Sequence, residues 1–442
     1  MSPPVTVALS TLGCRLNQVE SQEMGALLER HGFHVVAPGE AAQIHVVNTC
    51  TVTGRADFSD RQLIRRVGRE NAHGFLVVTG CYAQTDPAAV AALPGVDLVV
   101  GNQEKYRLPE LLGSLVKRAR GPTIAVGDIG AARHVPVVPF ARVSGRSRAF
   151  VKIQDGCQHR CAFCIVPTAR GGSRSQEPKV VLDQVRALAE AGYPDITLTG
   201  VDIGHYGRDL HPRASLAALV RSLAGVAGLR WLRLSSVLPS YFTPELIDAV
   251  TTLPVVAPHL HLPLQSGSDR VLRLMRRPYH TRMYRDLVDR LAAAIPGLGL
   301  GADVIVGHPG ETDDDFEATM RFVDSLPFSY LHVFSYSDRK GTEAARRPDR
   351  VPSAVTRERS RRLRRLGRDK SAGFRRALIG ARREALVLEE RDRQTGLLSG
   401  LTSSYVEVLF AGPDGFGRHI VPLQITDVRG DRAYGRLAEA GG

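Results

Sequence analysis

Residues 156–171 are GCQHRCAFCIVPTARG, a stretch in which Cys157, Cys161 and Cys164 have the spacing C-x₃-C-x₂-C. Three thiolates on one short loop can face a single metal centre, and thiolates favour zinc, copper(I) or iron–sulfur clusters. A closed structural zinc site needs four ligands, and the nearest fourth, His159, lies inside the same loop, from which the shared metal is awkward to reach. The spacing therefore favours a four-iron cluster with one iron left open for a small molecule.

The other three cysteines are dispersed through the first part of the chain, at Cys14, Cys50 and Cys81. Each comes just after an apolar run typical of a buried parallel strand, and these runs are 5–9, 44–47 and 75–78. In an open α/β sheet, ligands bind beyond the carboxyl ends of the strands. We therefore expect these cysteines at one sheet edge, as a second site.

The alternation of strand and helix patterns predicts an α/β fold. Residues 1–120 indicate an open parallel α/β domain, and 121–148 a linker. Six β/α units over 149–350 predict a partial (β/α)₆ barrel, with strands at 150–154, 195–199, 230–235, 259–264, 299–306 and 330–335. Active sites of β/α barrels lie at the carboxyl ends of the strands, and Cys157 directly follows the first of these. Residues 351–383 indicate an Arg-rich helical linker, and 384–442 a small β-barrel.

The positive charge of the chain is concentrated in one segment. The net charge is +13, of which 357–383 contribute +10, whereas 384–442 carry −3. Such an unbalanced segment is typical of a surface that binds phosphate, and we expect nucleic-acid contacts from Arg361, Arg362, Arg364 and Arg365. A solvated helix face is the alternative interpretation.

Length and composition restrict the class of protein. A chain of 442 residues exceeds what one hydrophobic core supports, and 43% hydrophobic residues excludes wholesale disorder. The first ten residues lack the pattern of a secretory signal, and no apolar stretch approaches the length of a membrane span. We therefore expect a soluble cytoplasmic protein without a membrane partner, and its six cysteines are too few for a disulfide scaffold.

The loop at 156–171, with the aromatic Phe163 before its last cysteine, resembles the cluster loop of radical S-adenosylmethionine (SAM) enzymes. This resemblance implies that Cys157, Cys161 and Cys164 hold a [4Fe-4S] cluster whose open iron chelates SAM. It also implies that reduction of the cluster cleaves SAM to a 5′-deoxyadenosyl radical, and that the six β/α units form the partial barrel of that superfamily.

Further motifs extend the resemblance over nearly the whole chain. TLGCRLNQVES (11–21), NTCTVTGRAD (48–57) and GCYAQ (80–84) are similar to the three cysteine motifs of the methylthiotransferases, and HLHLPLQSGSDRVLRLMRRPY (259–279) and GADVIVGHPGET (301–312) resemble their barrel motifs. The C-terminal β segment resembles their TRAM domain. By this likeness, Cys14, Cys50 and Cys81 hold a second [4Fe-4S] cluster, which presents sulfur to the substrate.

Within that family, NTCTVT and the KIQDGC lead-in are most similar to enzymes that methylthiolate carbon 2 of N6-threonylcarbamoyladenosine at tRNA position 37. The implied partners are a tRNA anticodon stem-loop, an electron donor and a sulfur source, of which the last two are not identified by sequence. Sister enzymes act on isopentenyladenosine in tRNA or on a ribosomal protein aspartate. A non-catalytic, zinc-containing RNA-binding protein is the alternative from another class.

Strand ends of the barrel supply candidate SAM contacts. Small or polar residues there suit the amino group, ribose and adenine, and ordinary strand-to-loop chemistry is the competing explanation. The candidates are Thr199, Gly200, Ser235, Ser236, Gln265 and Val306. Beyond the cluster ligands, the sequence indicates no catalytic residue.

Overall fold

A parallel sheet of six strands forms the first part of the chain in the computed structural model, which describes residues 4–113, 121–141 and 145–438. The strand order is β2-β1-β3-β4-β5-β6, and all neighbours are parallel. The strands are β1 (Thr6–Thr11), β2 (His34–Val36), β3 (Ile44–Thr49), β4 (Phe75–Gly80), β5 (Leu98–Val100) and β6 (Thr123–Ala125). The predicted open parallel α/β architecture is confirmed.

Both faces of this sheet are buried, which explains why its strands are apolar without alternation. Val46 packs on one face with Met24, whereas its neighbour Val47 packs on the other face with Ile64. The helices in this part of the chain are α1 (Arg15–Arg30), α2 (Gly54–Glu70), α3 (Cys81–Thr85), α4 (Pro87–Ala91) and α5 (Leu108–Leu112).

The sheet extends into the segment 121–148, which was expected to be a linker. β6 lies inside that segment and pairs with β5, so this part of the segment completes the sheet. The strand has only three residues, and its Ile124 is 48% exposed, so no buried apolar run marks it in the sequence. Residues 114–120 and 142–144, which border or belong to the expected linker, lie outside the described residues.

Six strands and their helices form the predicted partial barrel, in two hydrogen-bonded halves ordered β11-β10-β7 and β12-β13-β14. A parallel bridge joins Leu232 of β11 to Val256, which lies just before β12, and so connects the two halves. The strands of this region are β7 (Ala149–Lys152), the short pair β8 (Gln154–Asp155) and β9 (Arg174–Ser175), β10 (Asp195–Thr199), β11 (Trp231–Leu234), β12 (His259–His261), β13 (Gly299–Val306) and β14 (Tyr330–Ser335). The helices are α6 (Val166–Arg170), α7 (Pro178–Glu190), α8 (Leu216–Leu223), α9 (Pro244–Thr252), α10 (Asp269–Leu274), α11 (Thr281–Ala294) and α12 (Asp313–Asp324).

The C-terminal part consists of one long helix and a closed barrel of five strands, as predicted. The helix is α13 (Ser353–Arg376), and the strands are β15 (Arg382–Val387), β16 (Leu398–Thr402), β17 (Glu407–Phe410), β18 (Ile420–Arg429) and β19 (Arg432–Leu437), in the order β15-β16-β17-β19-β18. Val408, Phe410 and Leu423 are fully buried in its core.

The connection between β16 and β17 packs against the amino-terminal end of the partial barrel. Arg233 of β11, which is 1% exposed, donates to the carbonyl oxygens of Ser403 (2.7 Å) and Thr402 (3.0 Å). Tyr405 stacks on His259 of β12, with ring centroids 4.3 Å apart. This connection therefore closes the end of the partial barrel opposite to the expected active site.

The chain divides into two compact units. The cysteine unit comprises Met1–Phe140, Lys152–Gln176 and Ser337–Ala345, and the barrel unit comprises Ala141–Val151, Glu177–Tyr336 and Arg346–Gly442. The cysteine unit thus contains all six cysteines, because the loop after β7 packs with the N-terminal sheet; the Asn102 side chain, for example, donates to the carbonyl of Ala169 at 2.7 Å. Among the described residues, no helix has the length and apolar character required to cross a membrane.

Candidate metal and cofactor site

Cys14, Cys50 and Cys81 stand at one edge of the six-stranded sheet. Cys50 directly follows β3, and Cys81 follows β4 as the first residue of α3. The loops approach so closely that a Cβ atom on Gly13 would lie 2.7 Å from Cβ of Cys50 and 3.1 Å from its Sγ atom. The backbone at Gly13 has φ +108°, a conformation that favours glycine. The structure therefore brings these dispersed cysteines together.

Asn17, on the first turn of α1, ties two of these loops to each other. Its Nδ2 atom donates to the carbonyl oxygens of Leu12 (2.9 Å) and Thr49 (2.8 Å), and its Oδ1 atom accepts from Arg170 (2.8 Å). Leu12 lies two residues before Cys14, and Thr49 directly precedes Cys50. The buried amide of Asn17 thus fixes both loops. Through Arg170 it also connects them to the segment that carries Cys157, Cys161 and Cys164.

Two of these three thiols are deeply buried. Burial, together with the charge of a Cys81 thiolate, raises the pKa of the Cys50 thiol to about 12. Burial also raises the pKa of Cys81, whereas Cys14 is exposed. Since a metal binds the thiolate, a bound centre has to displace the protons of the two buried thiols. Three soft donors with one open side suit an iron–sulfur cluster.

Cys157, Cys161 and Cys164 lie on the loop between β8 and α6, and all three are half-buried. The loop closes on itself, because the Cys157 N–H donates to the carbonyl of Gly171 (3.0 Å) and the Cys164 N–H to that of Cys161 (3.1 Å). The Cys157 Sγ atom also accepts from the backbone N–H of His159 at 3.4 Å. All six cysteines lie in the described part of the chain, and none forms a disulfide.

A buried network of charges joins α1 to this second loop. Arg170, at the end of α6, donates to Glu20 (2.8 Å) and to Asp155 (3.1 Å), and the Lys105 ammonium lies 2.6 Å from Glu20. Burial alone would raise the pKa of Glu20, but the charges of Arg170 and Lys105 hold it well below its usual range. Glu20 is therefore ionised, and the network fixes the helix after Cys14 to the loop at 157–164.

A cavity of about 320 Å³ opens beside both sets of cysteines within the cysteine unit. It is lined by sequence neighbours of three of them, Thr51, Tyr82 and Ile165. Arg339 lines the cavity as well and pairs with Asp57 at 2.7 Å. The exposed Lys340 also lines the cavity and forms no ion pair with any described residue, and the remaining lining residues are Asp57, Thr85, Asp86 and Thr168. The cavity thus offers a cation close to both cysteine motifs.

In the barrel unit, the inner face of the strands is polar and the alternate residues are apolar. Arg233 donates to Asp195 across neighbouring strands at 2.8 Å, and Asp303 lies 3.1 Å from both His261 and His332. Buried side-chain atoms of this unit that have no hydrogen-bond partner among the described residues include Thr197 Oγ1, Ser235 Oγ and Gln265 Oε1. Because buried polar atoms are rarely left unpaired, these atoms indicate a polar ligand inside the barrel.

The SAM candidates fit this ligand site unequally. Ser235 and Gln265 carry two of the unpaired atoms, and the buried Thr199 shares a strand face with Thr197, because residues two apart on a strand point the same way. Gly200 follows at the strand end, and Ser236 is exposed. Val306 belongs to the opposite, apolar row of β13, together with Ala302 and Val304, so its side chain does not join the polar inner face.

The four arginines expected to bind nucleic acid lie on α13 and are partly engaged within the protein. Arg361 pairs with Glu358 (2.6 Å) and Arg362 with Glu317 (2.7 Å), and Arg364 donates to the carbonyl of Val333 (2.9 Å). Arg365 is exposed and has no partner among the described residues.

Replacing Gly13 with alanine is expected to remove the iron held by Cys14, Cys50 and Cys81, which we call the first cysteine set. The new methyl group would stand 2.7 Å from Cys50 on a backbone that disfavours any side chain, so Cys50 has to move. Iron analysis of reconstituted protein should show about half of the wild-type content. Gly32 is the matched control, because its φ is +83° but nothing lies within 4 Å of a Cβ there. Equal iron loss in both variants would contradict the crowding argument.

Comparisons with known proteins cover both units. The model of the Radical SAM superfamily matches residues 151–323, and that of Uncharacterized protein family UPF0004 matches 6–101. Threonylcarbamoyladenosine tRNA methylthiotransferase MtaB of Bacillus subtilis is 38% identical over 427 residues, 95% of this chain and 93% of the relative. The tRNA-2-methylthio-N(6)-dimethylallyladenosine synthase of Moorella thermoacetica is 36% identical over 95% of this chain and 96% of the relative.

A solved structure with the same fold is the radical S-adenosylmethionine methyltransferase TsrM from Kitasatospora setae. It has a TM-score of 0.58 at 18% identity, and the match covers 74% of this chain and 72% of that one. The superfamily match and the relatives assign a [4Fe-4S] cluster and SAM as cofactors. From the extent and identity of these matches, the chain belongs to the radical SAM methylthiotransferase family.

Proposed function

We propose that the protein replaces the hydrogen on carbon 2 of N6-threonylcarbamoyladenosine, at position 37 of tRNA, with a methylthio group. The observation that carries this proposal is the pair of cysteine sets within one compact unit, beside one cavity. The relatives named as threonylcarbamoyladenosine tRNA methylthiotransferases, 35–38% identical over most of the chain, support the choice of substrate. We place the reaction in the cytoplasm and the substrate base in a tRNA anticodon stem-loop.

In this proposal each cysteine set has one role. Cys157, Cys161 and Cys164 hold the cluster that generates the radical, and Cys14, Cys50 and Cys81 hold the cluster that presents sulfur. When bound, the clusters and SAM supply the methyl group, the sulfur and a radical able to take hydrogen from a C–H bond that is too weakly acidic for base catalysis at neutral pH. An electron donor and a sulfur source complete the set of partners.

The inner face of the barrel would bind SAM through its unpaired polar atoms. We assign Ser235 and Gln265, with Thr197 and Thr199 on the neighbouring strand, as its side-chain contacts. Gly200 and Ser236 lie where their backbone groups can contribute. Val306 offers only backbone groups to the interior.

The cavity beside the cysteines supports threonylcarbamoyladenosine over isopentenyladenosine. The threonyl group ends in a carboxylate, whereas the isopentenyl group is a hydrocarbon. Lys340 has no ion-pair partner among the described residues that line or surround the cavity, so its ammonium is available to a substrate carboxylate. A hydrogen bond between charged groups contributes about 1.5–3 kcal/mol, which is enough to discriminate between the two substrates.

Reconstituted enzyme with SAM, reductant and a sulfur source is expected to convert threonylcarbamoyladenosine in tRNA to its 2-methylthio derivative. Isopentenyladenosine tRNA should react at least about 10-fold more slowly. Lys340→Met should lower kcat/KM for the first tRNA by about 10-fold or more and leave the second unchanged. Mass spectrometry of nucleosides measures both products.

The second candidate is the isopentenyladenosine enzyme, which the 36% identity to the dimethylallyladenosine synthases favours. Equal rates on the two tRNAs would reject the substrate assignment and keep the family. Methylthiolation of a ribosomal protein alone would reject tRNA as the substrate. Stoichiometric zinc without absorption near ~400 nm would favour the zinc-containing RNA-binding protein, because d¹⁰ zinc gives no such band.

A further inference from the structure

One face of α2 carries four exposed arginines, Arg55, Arg65, Arg66 and Arg69, which we call the arginine face. At 3.6 residues per turn these positions fall on one side of the helix, and the buried residues Asp60, Ile64 and Val67 fall on the other. Within the described chain, none of the four arginines forms an ion pair or a hydrogen bond. Their charges are therefore available to a partner.

The acidic residues of α2 do not neutralise this face. Asp57 is paired with Arg339 at 2.7 Å, and Asp60 is buried and accepts from the Cys50 N–H at 3.0 Å. Glu70 alone is exposed, at the end of the helix. The arginine face thus extends four positive charges along about 21 Å of helix.

A groove of about 820 Å³ runs beside the arginine face. Its lining residues include no acidic side chain; they are Ser10, Thr11, Leu12, Pro38, Ser59, Gln62, Leu63, Arg65, Arg66 and Arg69. At one side the groove reaches the carboxyl end of β1 and Leu12, which lies two residues before Cys14. It therefore leads from a row of cations to the edge where the first cysteine set lies.

Two large apolar side chains stand exposed in the same region. Phe58, on the arginine face, is 53% exposed, and Val52, just before α2, is 50% exposed. An aromatic ring among cations is typical of surfaces that bind single-stranded nucleic acid, because the ring stacks on a base while the cations follow the backbone. An acidic partner without bases would offer no ring on which Phe58 could stack.

We propose that the arginine face binds backbone phosphates of the tRNA substrate and that Phe58 stacks on one of its unpaired bases. This inference deepens the proposed function, on which it rests for the identity of the RNA. The proposal also moves the main contact with RNA phosphates from α13 to α2. The four arginines of the arginine face have no partner among the described residues, whereas three of the four predicted arginines on α13 contact groups of the protein.

The test measures tRNA affinity of the reconstituted protein against salt concentration, by fluorescence anisotropy. Replacing Arg65, Arg66 and Arg69 with glutamine should reduce the salt slope of log Kobs by about 2–3, since each lost phosphate contact removes about 0.7–0.9. Iron content and SAM cleavage without tRNA should be unchanged. The comparison variant, in which Arg361, Arg362, Arg364 and Arg365 become glutamine, should change the slope less.

The matched control replaces three exposed arginines elsewhere, Arg213, Arg282 and Arg290, with glutamine, so that the net charge changes equally. An equal fall of the slope in the control, or an unchanged slope in the α2 variant, would overturn the proposal. Wild-type protein that binds tRNA with the expected slope but makes no methylthio product would reject the proposed function and leave this surface as an RNA site.

Phe58→Ala distinguishes RNA from other polyanions. It should weaken tRNA binding by about 10-fold through the lost stacking and leave heparin binding unchanged. Equal effects on tRNA and heparin, or no effect on either, would overturn the stacking part of the proposal. Competition by polyglutamate as effective as that by tRNA would overturn RNA as the partner.

Discussion

Replacing Cys157, Cys161 and Cys164 with alanine is expected to leave about half of the iron and to abolish SAM cleavage. In the proposed function each set of three thiolates holds one four-iron cluster, so the chain should bind roughly eight irons. These three cysteines lie on one loop that closes through its own backbone hydrogen bonds, so the variant should keep the rest of the cysteine unit folded. Iron analysis and 5′-deoxyadenosine production under reducing conditions measure the two effects.

The complementary variant separates the two roles. Replacing Cys14, Cys50 and Cys81 with alanine should also leave about half of the iron, but SAM cleavage should continue while methylthiolation stops. Two variants that each lose all of the iron would show that the sets do not bind independently. Full iron content in either variant would show that its cysteines are not ligands.

Replacing Arg170 with leucine is expected to lower the free energy of unfolding by about 3–5 kcal/mol, because it leaves buried carboxylates without their partner. Arg170 donates to Glu20, Asp155 and Asn17, all of them buried. Since Asn17 fixes the loops of two cysteines, the variant should also lose iron from the first cysteine set. Denaturant unfolding of the unreconstituted protein measures the stability change, and iron analysis after reconstitution measures the second effect.

A surface pair gives the control for this prediction. Arg107 and Glu110 form an ion pair at 2.9 Å, but their side chains are 67% and 63% exposed. Arg107→Leu should therefore change the stability by less than about 1 kcal/mol. If the Arg170 and Arg107 variants unfold at the same denaturant concentration, the buried network does not stabilise the cysteine unit.

Much of the architecture is predictable from local pattern. The runs at 44–47 and 75–78 are apolar because both faces of their sheet are buried, and the structure places β3 and β4 there. β6 could not be found in the same way, because three residues with an exposed Ile124 carry no strand pattern. Its pairing with β5 is a tertiary contact.

The division into units also depends on contacts between distant residues. Sequence pattern places 152–176 with the partial barrel, since β7 is the first barrel strand. In the structure this segment is held to the N-terminal sheet by buried pairs such as Arg170–Glu20, which are 150 positions apart. Such pairs have no signature in composition or periodicity.

The sequence identifies the cysteines of the site, but it does not identify the residues that hold the cysteines in position. Asn17 and Arg170 stand inside the recognised motifs, at TLGCRLN and PTARG, yet spacing alone does not show that one donates to the other. Lys340 lies far from every cysteine in sequence and was missed. Val306 was a candidate because it ends a strand, whereas strand alternation places its side chain on the apolar row.

The packing of the 402–406 connection against the partial barrel limits how freely the C-terminal domain can be exchanged. Arg233 donates two of its hydrogen bonds to Thr402 and Ser403 on that connection, and His259 stacks there on Tyr405. A chimaera that took residues 384–442 from another protein would keep the bond from Arg233 to Asp195 but would lose its two carbonyl acceptors unless the new loop supplied them. An exchange of the C-terminal domain therefore has to keep the 402–406 connection or replace its partners Arg233 and His259 at the same time.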